Sequence, residues 1–534
     1  MIQVESAPLL HIDGLRVAFG DVAAVDDVSL SVDAGERVAI VGESGSGKST
    51  LVKAVLGMLP RGAEESGVIR FEGTDLASAT ETQWRRIRGE RIGFVPQDPL
   101  SSLNPLLRVG RQVVESPVVH GRLRRGAARG LAGDLLDRVG LPRSARSAAK
   151  FPHQLSGGMR QRALIAAGIA SDPALILADE PTSALDATVQ RRILDLLDEL
   201  SERTRAALLL VTHDLGVARD RADRILVMRE GRIVEEGHAA AVFAAPVDSY
   251  TRQLVSAVPR LDDPGTQTRA ADGPPILIAE GLDKSFHSRT ASGARVVHHA
   301  VRDVSFTLSR GETLAIVGES GSGKSTTARI VLGLVAPDAG TVRLDGLDVT
   351  GFATPAARAR RSEMQAVFQD PSSSLDPRFS VARAVAEPLA VGRVGTRAAR
   401  RERVVELLDR VGLARSFADR RVTELSGGQR QRVAIARALA TAPSVVICDE
   451  PVSALDVIVQ EQVLDLMAEL QADLGVSYVL ITHDLAVVRR SAHRVLVMNA
   501  GSVVESGAVD DVLARPTAEY TAELIRAVPA SVAA

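Results

Sequence analysis

A nine-residue segment that could hold a polyphosphate, GESGSGKST, occurs twice, at residues 42–50 and 318–326. Its glycines allow successive backbone N–H groups to face an anion, which also gains from the start of the helix that follows. The lysine reaches the β- and γ-phosphates of a nucleotide, and the serine after it offers a hydroxyl to Mg²⁺. The sequence therefore predicts two sites for a nucleotide and for magnesium. Their predicted ligands are Gly42, Ser44, Gly45, Gly47, Lys48, Ser49 and Thr50, and Gly318, Ser320, Gly321, Gly323, Lys324, Ser325 and Thr326.

Two adjacent acids end an apolar strand pattern in each half of the chain, as Asp179 with Glu180 and Asp449 with Glu450. Neighbouring side chains on a strand face opposite sides, so at the strand end the aspartate can organise magnesium while the glutamate reaches the attacking water. A solvated acidic turn is the alternative for the dipeptide alone. Together with the upstream loop, the pattern predicts Asp179 and Asp449 as magnesium ligands, and Glu180 and Glu450 as general bases.

Strands and helices must position these groups. Each loop lies between an apolar run, Arg37–Val41 or Thr313–Val317, and a helical pattern, which is the strand-loop-helix context that phosphate binding requires. Short apolar runs then alternate with amphipathic stretches in both halves, for example at residues 193–202 and 463–473. This alternation predicts α/β domains with a mainly parallel sheet.

The two halves repeat each other in order. From the middle of each half onward, equivalent residues such as Ser156 and Ser426 lie 270 positions apart. Residues 261–275 between the halves are polar, rich in Pro and Gly and without periodicity, which is typical of a linker. We predict a first domain at residues 1–260, a linker at 261–275 and a second domain at 276–534.

The bulk composition excludes several classes of protein. The 534-residue chain has 45% hydrophobic and 24% charged residues and a formal net charge of −2, which argues against nucleic acid as its main partner. No apolar run reaches the roughly 18 residues of a membrane-spanning helix, and the first residues lack the pattern of a signal peptide, so we expect a cytoplasmic location. The one cysteine, Cys448, lies in an apolar strand pattern, which excludes disulfides within the chain and favours a buried, unreactive thiol.

Further motifs follow the phosphate loop in the same order in both halves. They are a glutamine (Gln97, Gln369), a Leu-Ser-Gly-Gly signature (residues 155–158, 425–428), the acidic strand, a Ser-Ala-Leu-Asp segment (183–186, 453–456) and a histidine (His213, His483). Over nearly the whole chain, this order resembles the ATP-binding-cassette (ABC) ATPases. The resemblance implies two tandem P-loop ATPase domains, each with an antiparallel subdomain and a helical signature subdomain beside the mainly parallel core sheet.

The resemblance also implies that each nucleotide lies between the phosphate loop of one cassette and the signature of the other. Site one would combine Lys48, Ser49, Gln97, Asp179, Glu180 and His213 with Ser426, Gly427 and Gly428. Site two would combine Lys324, Ser325, Gln369, Asp449, Glu450 and His483 with Ser156, Gly157 and Gly158. A serine hydroxyl and glycine amides at a helix start form an anion site, which suits a γ-phosphate.

Other roles come from the resemblance alone. Gln97 and Gln369 are implied as catalytic residues and magnesium ligands, and His213 and His483 as catalytic sensors of the γ-phosphate. Two aromatic residues ahead of the loops match the side chain that stacks on adenine in this family, with a core position as the alternative; they are Phe19 and Phe286.

A closer resemblance is to the ATPase subunits of peptide-type importers. Residues 97–105 and 369–377 are similar to the extended glutamine loop of the oligopeptide, dipeptide and nickel group, and both halves end in similar tails around Tyr250 and Tyr520. Met159 departs from the family, since it replaces the usual signature glutamine.

This resemblance implies an ATP-hydrolysing subunit, peripheral on the cytoplasmic face of the cell membrane, for import of di- or oligopeptides. Its partners would be two transmembrane permease subunits, which provide its contact with the membrane, and an extracytoplasmic solute-binding protein. Nickel or another small solute is the alternative cargo. A soluble tandem cassette acting on ribosomes or DNA resembles the chain less, because the linker is short and zinc-binding cysteines are missing.

Overall fold

The structure is a computed structural model that describes residues 7–124, 126–141, 144–182, 187–261, 274–289 and 295–528. Its backbone divides into two compact units between Val258 and Pro259. Residues 262–273 of the predicted linker lie outside the described ranges, and so does the predicted segment 183–186. Among the described residues, no helix is long and apolar enough to cross a membrane.

The strands of the first unit form two sheets. In chain order they are β1 Leu10–Phe19, β2 Val22–Val32, β3 Arg37–Val41, β4 Ala63–Phe71, β5 Thr74–Asp75, β6 Ile92–Val95, β7 Leu175–Asp179, β8 Ala207–Val211, β9 Arg224–Arg229 and β10 Arg232–His238. An antiparallel sheet has the order β2-β1-β4-β5. A six-stranded sheet has the order β10-β9-β3-β8-β7-β6 and is parallel except where β10 pairs with β9.

The first unit has twelve described helices. They are α1 Lys48–Val55, α2 Glu81–Ile87, α3 Pro99–Ser102, α4 Val109–Val113, α5 Glu115–Val119, α6 Ala128–Arg138, α7 Ser144–Ala148, α8 Gly157–Gly168, α9 Ala187–Thr204, α10 Leu215–Arg221, α11 Ala239–Ala244 and α12 Ser249–Ser256. A 3-10 turn covers Pro152–Gln154. The helices between β6 and β7 share an apolar core with the sheet that includes Leu135, Leu136 and Ile165.

The second unit repeats this arrangement. Its strands are β11 Pro275–Arg289, β12 Arg295–Ser309, β13 Thr313–Val317, β14 Ala339–Leu344, β15 Leu347–Asp348, β16 Met364–Val367, β17 Val445–Asp449, β18 Ser477–Ile481, β19 Arg494–Asn499 and β20 Ser502–Ala508. The antiparallel sheet has the order β12-β11-β14-β15, and the mainly parallel sheet has the order β16-β17-β18-β13-β19-β20.

The described part of the second unit has ten helices, where the first unit has twelve. The ten are α13 Lys324–Val331, α14 Pro355–Ala359, α15 Pro371–Ser374, α16 Val381–Val391, α17 Arg397–Arg410, α18 Gly427–Leu439, α19 Val457–Leu474, α20 Leu485–Ser491, α21 Val509–Ala514 and α22 Glu519–Ala527. The numbers differ because α16 spans the positions of α4 and α5 and a 3-10 turn replaces α7. Short 3-10 turns cover Thr350–Phe352, Arg361–Glu363, Arg415–Phe417 and Val422–Glu424. The predicted α/β class, with a mainly parallel core sheet, an antiparallel sheet and a helical segment in each half, is confirmed.

Strand pairing explains why distant motifs meet. In the first unit, β8 lies between β3 and β7, and its last residue Val211 is in register with Ile40 and with Asp179. The carboxyl ends of parallel strands meet at one edge of a sheet, which is where ligands bind in such folds. The phosphate loop, the two acids and the histidine therefore leave the sheet at the same edge.

The central strands are buried along their whole length, as in β8 and β13. Cys448 lies in β17 with 1% of its surface exposed, and burial raises the pKa of its thiol. The predicted buried thiol is confirmed, because a thiol with a raised pKa is rarely in its reactive thiolate form.

Candidate active site

The first phosphate loop joins β3 to α1. Gly47 is the residue before the helix and has a φ of +102°. A Cβ atom at this position would lie 2.2 Å from the carbonyl oxygen of Ala24 in β2, so only a glycine allows the loop to pass this close to the sheet. The first N–H groups of α1 have no carbonyl partner within the helix and so can bind an anion.

Lys48 begins α1 and is 94% buried, with 6% of its surface exposed. Its Nζ donates to the carbonyl oxygens of Gly42 at 2.8 Å and Glu43 at 2.6 Å, and to Ser46 Oγ at 3.2 Å. The loop thus holds an ammonium group among backbone dipoles at a helix start. This donor set, N–H groups plus one cation, fits a polyphosphate.

The hydroxyl of Ser49 donates to Asp179 Oδ1 at 3.0 Å. Burial, opposed by this hydrogen bond, raises the pKa of Asp179, and the neighbouring charge of Glu180 raises it further. A buried carboxylate of this kind gains from a nearby cation. Hydroxyl and carboxylate oxygens are ligands that Mg²⁺ prefers, so the pair fits the predicted magnesium site.

Glu180 follows the last residue of β7 and has a φ of +47°, in a region that non-glycine residues seldom adopt. Its N–H donates to the carbonyl oxygen of Val211 at 2.9 Å. Its carboxylate accepts a hydrogen bond from Gln97 Nε2 at 2.7 Å and lies 3.2 Å from His213 Nδ1. In this left-handed conformation the carboxylate contacts a glutamine and a histidine from two other segments of the chain.

Glu180 and His213 each favour the charged form of the other. Burial favours a neutral Glu180, but the hydrogen bond and charge of His213 and the charge of Lys48 outweigh it, so the pKa of Glu180 is lowered. Burial likewise favours a neutral His213, but Glu180 and Asp214 outweigh it and raise the pKa of His213. An ionised glutamate can accept a proton, as a general base must.

The second unit reproduces these contacts. The equivalents are Lys324 Nζ with the carbonyl oxygens of Gly318 at 2.6 Å and Glu319 at 2.9 Å, Ser325 Oγ with Asp449 Oδ1 at 3.2 Å, Gln369 Nε2 with Glu450 Oε2 at 2.7 Å, and His483 Nδ1 with Glu450 Oε1 at 3.2 Å. Glu450 also has a positive φ, of +49°. The pKa shifts have the same directions. Burial raises the pKa of Asp449, whereas for Glu450 burial is outweighed by the hydrogen bond and charge of His483 and the charge of Lys324, which together lower its pKa.

The signature residues lie at the exposed starts of α8 and α18, and the hydrogen bonds of Ser156 and Ser426 are local to those starts. Ser156 Oγ accepts from the N–H of Met159 at 3.3 Å, and Ser426 Oγ accepts from the N–H of Gln429 at 3.3 Å. A second hydrogen bond joins the same two residues at the start of α18: Gln429 Oε1 accepts from the N–H of Ser426 at 3.0 Å. Methionine cannot accept such a bond, so the substitution at Met159 weakens the cap of α8 and leaves the serine in place.

The two aromatic residues predicted at adenine lie on the surface. Phe19 is 37% exposed at the end of β1, and Phe286 is 43% exposed in β11. Lys284 Nζ lies 5.8 Å from the centroid of the Phe286 ring. The alternative of a core position is therefore wrong for both, and stacking on adenine stays a prediction.

Comparison with known proteins identifies the family. The ABC transporter family model matches residues 25–183 and 301–453, more than half of the chain. The chain belongs to the ABC-transporter ATPase family. A second family model, the oligopeptide/dipeptide transporter C-terminal region, matches residues 234–289.

Relatives of this ABC ATPase match it from end to end. It is 41% identical to the glutathione import ATP-binding protein GsiA of Salmonella choleraesuis, over 99% of this chain and 90% of that protein. It is 42% identical to the oligopeptide transport ATP-binding protein OppD of Mycobacterium tuberculosis, over 98% of each chain. A GsiA of Pectobacterium atrosepticum is 43% identical over 95% of this chain and 86% of that protein. The chain is thus an ATP-binding, ATP-hydrolysing subunit of the ABC-transporter type.

We expect Lys48→Arg to weaken MgATP binding to the first site of this ABC ATPase by about tenfold or more. The guanidinium is larger than the ammonium, and overpacking a filled site costs about 1–3 kcal/mol, where 1.4 kcal/mol is tenfold in affinity. Isothermal titration calorimetry measures the change.

The control for this variant is Lys53→Arg, on the same helix, where the side chain is exposed. It should leave the affinity unchanged, because the charge is retained and nothing crowds the larger group. Equal affinities of Lys48→Arg and the parent protein would show that the site accepts either cation.

Some contacts were not predicted from the ABC motifs. Gln97 was expected on magnesium, and the structure places its amide nitrogen on Glu180. Lys48 was expected on phosphates, and here it lies on the carbonyl oxygens of its own loop. The order of motifs predicts which residues meet at the sheet edge. The hydrogen-bond partner of each residue depends on turns in the chain, which the spacing of the motifs does not reveal.

Proposed function

We propose that this ABC ATPase energises an importer of di- and oligopeptides from the cytoplasmic face of the cell membrane. Its partners in this proposal are two transmembrane permease subunits, through which it contacts the membrane, and an extracytoplasmic solute-binding protein. The observation that carries the cargo assignment is the end-to-end relationship to a glutathione import protein and an oligopeptide transport protein. Glutathione is itself a short peptide, so both names describe one class of cargo.

In hydrolysis, each of these residues has a distinct role. Lys48 and the first N–H groups of α1 hold the β- and γ-phosphates of ATP, and the ionised Glu180 accepts a proton from the attacking water. A bond forms between that water oxygen and the γ-phosphorus, and the bond from the γ-phosphorus to the β-γ bridging oxygen breaks. His213 and Gln97 keep the carboxylate ionised and aimed, as their hydrogen bonds to it support.

Magnesium would be held by Ser49 and Asp179, and by Ser325 and Asp449 in the second unit. Gln97 and Gln369 can contribute their amide oxygens while their amide nitrogens donate to the glutamates, so both proposed roles are chemically compatible. When bound, magnesium neutralises negative charge on the phosphate oxygens.

We further propose two composite ATP sites, formed between cassettes at residues 1–260 and 276–534 that are joined by the linker 261–275. The exposed starts of α8 and α18 support this. The side chains of Ser156 and Ser426 bond within their own helix starts, and the N–H groups at these starts could form an anion site for the other cassette. Gly157, Gly158, Gly427 and Gly428 would contribute backbone amides, and Phe19 and Phe286 would stack on adenine.

Compaction of the chain by MgATP tests the composite sites. The double variant Glu180→Gln, Glu450→Gln should retain ATP and draw the two cassettes together, which lowers the radius of gyration measured by small-angle X-ray scattering. MgADP serves as the control and should not compact the protein, because it lacks the γ-phosphate that joins the two cassettes. An unchanged radius with MgATP would contradict the composite sites.

Uptake by cells tests the cargo. Cells lacking this protein should lose uptake of labelled short peptides, glutathione included, and gain resistance to toxic peptide analogues. A gene that encodes both Glu→Gln changes should restore neither property, whereas the parent gene should restore both. If the deletion leaves peptide uptake unchanged and lowers cellular nickel, the peptide assignment is wrong while the ATPase activity stands.

A further inference from the structure

The chain has three tyrosines, and two of them contact the phosphate loops from a distant part of the sequence. The hydroxyl oxygen of Tyr250, in α12, accepts a hydrogen bond from the N–H of Glu43 at 2.9 Å. The hydroxyl oxygen of Tyr520, in α22, accepts one from the N–H of Glu319 at 3.0 Å. Each tyrosine thus binds the second residue of the loop in its own unit, from about 200 residues away in the chain.

The tyrosine and the loop lysine hold opposite ends of one peptide group. The carbonyl oxygen of Gly42 accepts from Lys48 Nζ at 2.8 Å, and the N–H on the other side of the same peptide bond donates to Tyr250. In a loop that binds anions through backbone N–H groups, a rotated peptide would turn a carbonyl dipole toward the phosphates. Rotation of this peptide would break both hydrogen bonds, so the pair fixes its orientation.

The segments that carry the tyrosines are themselves anchored. In the first unit, the carboxylate of Glu235 accepts from the N–H groups of Val247 and Asp248, both at 2.9 Å, just before α12 begins. Asp248 then caps the helix by accepting from the N–H of Tyr250 at 2.8 Å. The anchored start of α12 therefore fixes the position of the Tyr250 hydroxyl.

The second unit has the same anchor: Glu505 accepts from the N–H groups of Thr517 at 2.7 Å and Ala518 at 3.1 Å. The surroundings of the two rings differ, however. The guanidinium of Arg229 lies 5.1 Å from the centroid of the Tyr250 ring, and Asn499 stands at the equivalent position of the second unit. The shared feature is the hydroxyl on the loop, which argues that the hydroxyl, and not the packing of the ring, is what both sites require.

We propose that Tyr250 and Tyr520 are positioning residues for ATP binding. Each hydroxyl holds the first peptide group of the phosphate loop, and with it the loop lysine, in the arrangement that receives the triphosphate. The proposal concerns the ATPase activity and does not depend on the cargo. It also links the segment matched by the oligopeptide/dipeptide C-terminal model, which contains Tyr250, to the nucleotide.

The test is the full-length double variant Tyr250→Phe, Tyr520→Phe, which removes both hydroxyls and keeps both rings. Losing a hydrogen bond of this kind should raise the KM for ATP by about two- to tenfold. The kcat should stay within about twofold, because the groups around Glu180 and Glu450 are untouched. Each single variant should show a smaller rise in KM.

Tyr478 supplies the matched control. It is buried in β18, and within the part of the chain that the structure describes its hydroxyl has no hydrogen-bond partner. Tyr478→Phe should change neither KM nor kcat. An unchanged KM in the double variant would overturn the proposal, and so would a fall in melting temperature with unchanged nucleotide binding. A rise in KM in only one single variant would overturn it for the other site.

Discussion

Replacing Glu180 or Glu450 by glutamine is expected to lower ATP turnover on the order of a hundredfold or more, the scale that general-base catalysis contributes in a coupled site. The amide keeps the shape of the side chain but cannot accept the proton of the attacking water. The amide has one acceptor oxygen and one N–H₂ group, so only one of the two groups that bonded the carboxylate, Gln97 and His213 in the first unit, can keep its bond unchanged. Steady-state turnover of the purified full chain measures the effect.

Glu230 provides a control for the unusual backbone conformation of Glu180. Glu230 has a φ of +49°, almost that of Glu180, and lies exposed in the turn between β9 and β10. Glu230→Gln makes the same chemical change in the same conformation, so it should leave turnover unchanged. Single Glu180→Gln and Glu450→Gln variants that turn over ATP at the parent rate would show that neither glutamate is the base.

The positions of the main groups at the site could be predicted from the sequence because simple rules determine them. Buried strands such as β3 and β7 have continuous apolar runs, and glycines with a following lysine and serine identify the loop. Parallel pairing then brings the carboxyl ends of β3, β8 and β7 to one edge. These rules predict that the phosphate loop, Asp179 and His213 lie together.

The side-chain orientation of Glu180 could not be predicted from the sequence. The alternation of side chains along a strand predicts that Glu180 faces away from Asp179, but β7 ends at Asp179 and Glu180 adopts a left-handed conformation. Its orientation therefore comes from a chain reversal, stabilised by the hydrogen bond from its N–H to Val211. Propensity alone disfavours this conformation for glutamate, so tertiary contacts determine it.

Long-range hydrogen bonds could not be predicted from sequence patterns either. The bond from the loop to Tyr250 joins residues that are 207 positions apart, and nothing in the spacing of Tyr250 within its helix indicates that partner. The exposure of Phe19 and Phe286 shows the same limit. An aromatic residue in a strand pattern fits a core or a surface position, and the spacing of the sequence does not decide between them.

Substituting alanine for Gly47 is expected to destabilise the first unit and to abolish its nucleotide site. A side chain at a positive φ costs about 1–2 kcal/mol, and overlap of the new Cβ with the carbonyl oxygen of Ala24 adds about 1–3 kcal/mol. The start of α1 would have to move away from β2 to relieve the overlap, and Lys48 and Ser49 would move with it. Calorimetry should show a lowered melting transition, and MgATP should no longer shift that transition upward.

Gly45→Ala separates strain from overlap within the same loop. Gly45 has a φ of +86°, close to the +102° of Gly47, but a Cβ there has no neighbour within 4 Å. Gly45→Ala should therefore lower the melting transition by the strain alone, about 2–4 °C for each kcal/mol in a unit of this size. Gly321 and Gly323 offer the same contrast in the second unit, where the Cβ at Gly323 would lie 2.3 Å from the carbonyl oxygen of Ala300. Equal melting transitions for the two alanine variants of either loop would mean that backbone strain, and not the close approach of the sheet, is what requires glycine before the helix.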